Sequence, residues 1–363
     1  MNKTRISLLF FCLLTMAIAA PAFAQEDTLT VLCTPQEDWC VAMTAAFEAE
    51  TGIDTNYVRL SSGESLARLR ASAADPEFSV WWGGPADAFI AAAEEGGLIE
   101  AYDSPNAEAI PAQYKDADGN WTGVYVGALG FCSNVDVLAE LGVEAPTSWE
   151  DLLAPELEGF VAMAHPATSG TAFTAFWTVV TLKADELEAA EEGTGYDEDG
   201  NPTEAAVDTA FEYFAALNNN ILQYTRSGSA PGSLAGQGEI AVAIIFSHDC
   251  TKLQEEGFDG ILVTTFPEEG TGYEIGGMAI IAGAPEPEAA RMWYDWALTV
   301  EAQEIGPSVN SLQLPTNPDA AVSELAVNLS DITVVDYNFA AAGANRVAIT
   351  ERFDAEIATT PTE

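Results

Sequence analysis

Thr55-Asn56-Tyr57-Val58-Arg59-Leu60-Ser61-Ser62-Gly63-Glu64-Ser65-Leu66-Ala67-Arg68-Leu69 holds a strand, a tight turn and the start of a helix. Thr55 to Leu60 carries the β-branched and aromatic residues that suit a pleated surface. Leu66 and Leu69, three apart, open a helical pattern that reaches Ala74. Between them, Ser62-Gly63 places hydroxyls and a residue without Cβ where the first helical N–H groups have no partner of their own. About half a positive charge collects at such a start, which makes the turn a cradle for an anion. The same order recurs on both sides. Strand Leu29 to Leu32 feeds a helix from Trp39 to Thr51 that Gly52 stops, and strand Phe78 to Trp82 feeds a helix from Asp87 to Glu95. This βαβαβα succession predicts an open, mostly parallel α/β sheet flanked by helices, with a ligand site beyond the carboxyl ends of its strands.

A second unit of the same kind follows a longer strand pair at Trp121 to Ser133. Strand Phe160 to Ala164 leads into Thr168-Ser169-Gly170-Thr171, a second cradle, and a helix to about Lys183. Helix Glu204 to Leu217 and strands Ile240 to Phe246 and Ile261 to Phe266 complete it. Strand Tyr273 to Ile281 and a helix from Pro287 to Ile305 then have no partner unit and fit as a return to the first. The expected architecture has two lobes joined by crossing strands near 127–133 and 267–275. Residues 25–128 and 273–335 form the first lobe, 129–272 the second, and 336–363 a C-terminal helix and tail.

The chain opens with Lys3 and Arg5, the apolar run Ile6 to Ala20 and the small-residue site Ala22-Phe23-Ala24, the pattern of a cleaved secretory signal over residues 1–24. The product is expected in the periplasm. With 57 acidic and 12 basic residues the formal charge is −45, which excludes nucleic acid and anionic membrane as natural partners. Any anion must be held by local donors against that field. Four cysteines beyond the leader, Cys33, Cys40, Cys132 and Cys250, allow three pairings in an oxidising compartment. Cys33 with Cys40 and Cys132 with Cys250 is the favoured one, and free buried thiols are the alternative.

The helix before Thr51-Gly52-Ile53, the segment Thr147-Ser148-Trp149-Glu150-Asp151-Leu152 and the run Leu314-Pro315-Thr316-Asn317-Pro318 resemble periplasmic solute-binding proteins of ABC transporters. The chain is similar to the group that contains ferric-ion, phosphonate and hexose-phosphate binders. That resemblance implies a hinged, two-lobed, monomeric receptor that traps a small anionic solute and delivers it to an inner-membrane permease, with no cofactor and no catalysis. Hexose-phosphate members place a His-Asp pair and a nearby Glu on sugar hydroxyls and a Ser-Gly-Thr helix start on the phosphate. His248-Asp249 and Ser169-Gly170-Thr171 match these, and either Glu274 or Glu269 supplies the acid. Ferric ion held with a synergistic anion is the runner-up reading; ferric-ion members use neighbouring tyrosines, whereas Tyr224, Tyr273 and Tyr337 are isolated here.

The residues add further candidates of their own. Ser62 and Gly63 form a second anion clamp or an ordinary helix cap, Arg226 an oxyanion partner or the neutraliser of a neighbouring acid, and Trp82 an apolar floor for a sugar ring with the other indole of Trp81-Trp82 in the core; Gln36 and Asp38 lie on the same edge. Another reading joins His165, His248, Asp249 and Glu274 into the metal site of a phosphate-ester hydrolase. No nucleophile-elbow pattern, His-Glu-x-x-His or lysine-bearing phosphate loop is present.

Overall fold

The computed structural model describes residues 28–361, so the expected secretory signal lies outside the described residues. β1 (Thr28–Cys33), α1 (Glu37–Thr51), β2 (Asp54–Arg59), α2 (Ser62–Ser72), β3 (Val80–Pro85) and α3 (Ala86–Glu95) follow the expected alternation, with β4 (Ile99–Glu100) behind them. β5 (Thr122–Asn134) and α4 (Val135–Leu141) lead to β6 (Val161–Ala164), α5 (Gly170–Ala190), α6 (Glu204–Leu217) and β7 (Ile221–Thr225). Next come α7 (Ala230–Gly236), β8 (Val242–Phe246), α8 (Ser247–Leu253) and β9 (Leu262–Thr265). β10 (Tyr273–Ile281), α9 (Pro287–Ala297), α10 (Val300–Gln303), β11 (Leu314–Pro315) and α11 (Phe339–Glu356) close the chain.

The strands run in the order β2-β1-β3-β10-β5-β8-β6-β7. Each end of that path has a parallel nucleus: Val31 of β1 stands opposite Tyr57 and Val80, and β6 pairs parallel with β7 and β8. Between the nuclei, β10 and β5 run antiparallel to their neighbours. The first half of β5 pairs with β10, up to Ala128 opposite Tyr273. From Leu129 onward it pairs instead with β8 and β9. The expected strand pair at Trp121 to Ser133 is therefore one strand of 13 residues. Every residue of it is buried, because it lies inside both lobes, and so it lacks the polar alternation of a half-exposed strand. The expected helix from Pro287 to Ile305 is likewise two helices, since Thr299 turns the chain and caps α10 by accepting from the Ala302 N–H at 3.3 Å. β7 and α7 were not anticipated; Ile221–Thr225 is an edge strand with two exposed residues and little apolar signal.

The two favoured cysteine pairs are disulfides. Cys33–Cys40 closes a loop seven residues long in sequence separation and Cys132–Cys250 one of 118. One core cluster gathers around Trp149, Phe173, Phe176, Trp177 and Phe214 in the second lobe. Two others lie on either face of the first-lobe sheet, around Trp82 and Trp293 and around Trp81 and Phe89. α11 spans the back of both lobes. Its Arg346 pairs with Asp87 of α3 and lies 4.4 Å over the Phe173 ring of α5, while Phe353 packs on Phe176 and Phe214.

Candidate ligand-binding cleft

A polar cavity opens where the carboxyl ends of β1, β2, β6 and β8 converge between the lobes. α5 starts there because Ser169 leaves the helix in extended backbone and its Oγ accepts from the Ala172 N–H at 3.4 Å. Ser169, Gly170 and Thr171 thus present the start of a 21-residue helix, the positive end of its dipole, to the cavity. β8 is wholly buried, and the chain turns directly from it into α8, so His248 and Asp249 stand on the first turn of that helix. Glu274, near the start of the antiparallel β10, reaches the same space.

The electrostatics follow from burial. His248 is 5% exposed and its Nδ1 has no hydrogen-bond partner. Burial lowers its pKa, with Asp249 opposing, so the neutral imidazole faces the cavity. Burial pushes the Glu274 carboxyl well above the ordinary carboxylate range, and the charges of Asp249 and Asp87 push in the same direction. Its folded pKa therefore exceeds the unfolded one. The stability it contributes is full below its ordinary value of 4.5 and is lost as pH rises through the raised value. Glu274→Gln is accordingly expected to melt close to wild type at pH 4 and increasingly above it as pH approaches 8. The same difference in melting temperature at both pH values would refute this.

Seven of the expected site residues meet in this cavity: Ser62, Ser169, Gly170, Thr171, His248, Asp249 and Glu274. Glu269 does not; it accepts from the Trp149 N–H at 2.6 Å in the second lobe. Gly63 is spent on the seam between lobes, where its N–H donates to the Thr168 carbonyl at 2.9 Å and a Cβ would strike the Ala167 carbonyl oxygen. Arg226 is paired across the cleft with Glu64, its Nε 3.0 Å from Oε1. Burial would raise the Glu64 carboxyl, but bonds from Ser61 and Arg226 outweigh it and hold it low. Trp82 is core rather than floor, 1% exposed and set edge-on to Trp39 and Trp293. Of the weaker pair, Gln36 lines the cavity and donates to Asp249 Oδ1 at 2.6 Å, whereas Asp38 takes Lys252 Nζ at 2.7 Å in an outer pocket.

His165 lies apart, its Nε2 2.7 Å from the Ala358 carbonyl oxygen, so it does not join His248. Among the described residues no group of three or more His, Cys, Asp or Glu is placed to hold a metal ion. Tyr224, Tyr273 and Tyr337 do not line the cavity either; they pack against Phe353, Phe339 and each other's neighbours. The tyrosine that does is Tyr125 of β5, whose Oη accepts from the Gly84 N–H at 2.9 Å. Sequence reasoning missed Tyr125, Arg59, Gln313 and Ser227-Gly228-Ser229. A signal existed only for Arg59, at the carboxyl end of a strand beside a cradle already singled out.

The chain belongs to the family of bacterial extracellular solute-binding proteins, which it matches over residues 42–330. Proteins of that family carry solutes for ABC transport and share this two-lobed fold. It is similar to the periplasmic binding protein AfuA from Actinobacillus pleuropneumoniae, solved with fructose 6-phosphate bound, at 34% identity and a TM-score of 0.80, covering 91% of this chain and 98% of that one. An uncharacterised Haemophilus influenzae protein is 33% identical over 94% of both chains. A probable ABC transporter periplasmic-binding protein of Sinorhizobium fredii is 26% identical over 89% of this chain and 83% of its own.

Proposed function

We propose that the protein is the periplasmic receptor of an ABC importer for a small phosphorylated sugar, which it traps between its lobes and presents to an inner-membrane permease. The observation that carries this reading is the meeting, in one cavity, of a long helix's start with His248, Asp249 and Glu274. Carboxyl and imidazole groups accept and donate to sugar hydroxyls in fixed directions, and free helical N–H groups suit a phosphate. Likeness to AfuA, which holds fructose 6-phosphate, supports it. The moving bodies proposed are residues 28–128 with 273–335 against 129–272, hinged where β5 changes partners at Ala128 and Leu129. α11, attached to both, is proposed as the strap behind that hinge.

A ligand-panel thermal melt tests the assignment. At a hundredfold excess over Kd a bound ligand adds about 2.7 kcal/mol, enough to raise the melting temperature by roughly 4 °C in a chain of this length. Hexose phosphates are expected to do so and plain hexoses to fall short. Ser169→Ala with Thr171→Val is expected to narrow that gap. Equal stabilisation by phosphorylated and plain sugar would rule out the phosphate assignment.

A further inference from the structure

Arg59 is the last residue of β2, three positions before the start of α2, and it lines the cavity. Its Nε donates to the Pro35 carbonyl at 2.7 Å, which anchors the guanidinium at the cleft wall. Ten of the described residues are Lys or Arg, and eight of them form an ion pair with a carboxylate. Lys115 binds the Ala107 carbonyl outside this cavity. Arg59 alone of the cleft cations has no carboxylate within 4.0 Å among the described residues, in a chain that carries 57 acidic side chains. The acids at the cleft mouth are engaged elsewhere: Glu37 accepts from Tyr57, Asp38 takes Lys252, and Asp249 takes Gln36.

A second observation points the same way. Ser62, three residues on, is 2% exposed, lines the same cavity, and its Oγ has no hydrogen-bond partner. In a protein this acidic, an arginine kept clear of every carboxylate is available to a ligand's charge, and its planar fork suits two oxygens of a phosphate.

We infer that Arg59, with Ser62 Oγ, is the charge-selecting part of the site: it engages the phosphomonoester dianion from the first lobe while the start of α5 holds it from the second. This rests on the sugar-phosphate reading and adds a specificity determinant to it. A charge-assisted bond contributes enough for a change of about ten- to hundredfold in affinity. The dianion forms as pH passes the second phosphate pKa near 6, so affinity for the phosphate ester should climb between pH 5 and 7.

The test is calorimetric titration of fructose 6-phosphate, glucose 6-phosphate and fructose into wild type, Arg59→Gln and Arg59→Lys. Arg59→Gln is expected to lose ten- to hundredfold for the phosphates, to leave the response to fructose where it was, and to flatten the climb with pH. Arg59→Lys should keep part of each, and it serves alone if Arg59→Gln does not fold, since an amine cannot reproduce the two-pronged contact. An Arg59→Gln or Arg59→Lys protein with wild-type preference for phosphate over plain sugar would overturn the role of Arg59 and leave the receptor's substrate class standing. Failure of wild type to bind either phosphate would overturn the substrate class itself, with the role of Arg59 falling alongside it.

Discussion

Asp87→Ala is expected to destabilise the protein by about 3–5 kcal/mol, the range for removing one partner of a buried ion pair. Asp87 is 0% exposed and Arg346 3% exposed, and the two pair between α3 and α11. Without the carboxylate, the guanidinium remains enclosed against the Phe173 ring with no countercharge. Burial raises the Asp87 pKa above its ordinary value although Arg346 pulls it down, so desolvation outweighs attraction even in the intact pair. For that reason the double replacement Asp87→Leu with Arg346→Met should recover much of the loss, because apolar groups of similar volume carry no desolvation cost. Denaturant titration of wild type and the two variants decides it. A loss below about 1 kcal/mol for Asp87→Ala would mean that water reaches the pair and the helix is not fastened there.

Opening the Cys132–Cys250 disulfide should rank beside it. The bond closes a loop of 118 residues, and chain-entropy arguments give about 4–5 kcal/mol for loops of that size. Cys33–Cys40, with a separation of seven, should contribute roughly 2–3 kcal/mol by the same relation. The larger bond also joins β5, the strand common to both lobes, to α8 immediately after His248 and Asp249. Cys132→Ser with Cys250→Ser is therefore expected to lower both stability and ligand affinity, whereas Cys33→Ser with Cys40→Ser should act mainly on stability. Melting and calorimetry on the two double variants would show it. A greater loss from the short loop would refute the loop-length argument.

The layered fold was legible because strand, turn and helix each leave a local mark, as at Thr55 to Leu69 and again at Phe160 to Thr171. β7 was not, since an edge strand with exposed residues buries too little to pattern its sequence. β5 read as two strands because Gly123, Gly127 and Gly130 break its apolar run as turn residues would, while pairing with β10 and then with β8 and β9 keeps it whole. Within the site, residues at strand ends beside helix starts could be found: His248, Asp249 and Ser169 to Thr171 meet in the cavity. Pairing across lobes could not. Arg226 reads as an oxyanion partner or the neutraliser of some acid, and only the fold shows that the acid is Glu64, 162 positions away; Trp82 looks like a floor until Trp39 and Trp293 surround it. Arg59 shows the converse, a residue whose meaning lies in the partner it lacks.

The bond from the Gly63 N–H to the Thr168 carbonyl joins the lobes through main-chain atoms alone. Its sole demand on the sequence is the absence of a side chain at position 63. Arg59, Gln36, His248 and Asp249 line the cavity, whereas Gly63 and Thr168 do not. Under the proposed hinge closure, substitutions in the cleft lining would change what the cleft accepts and leave this clasp in place.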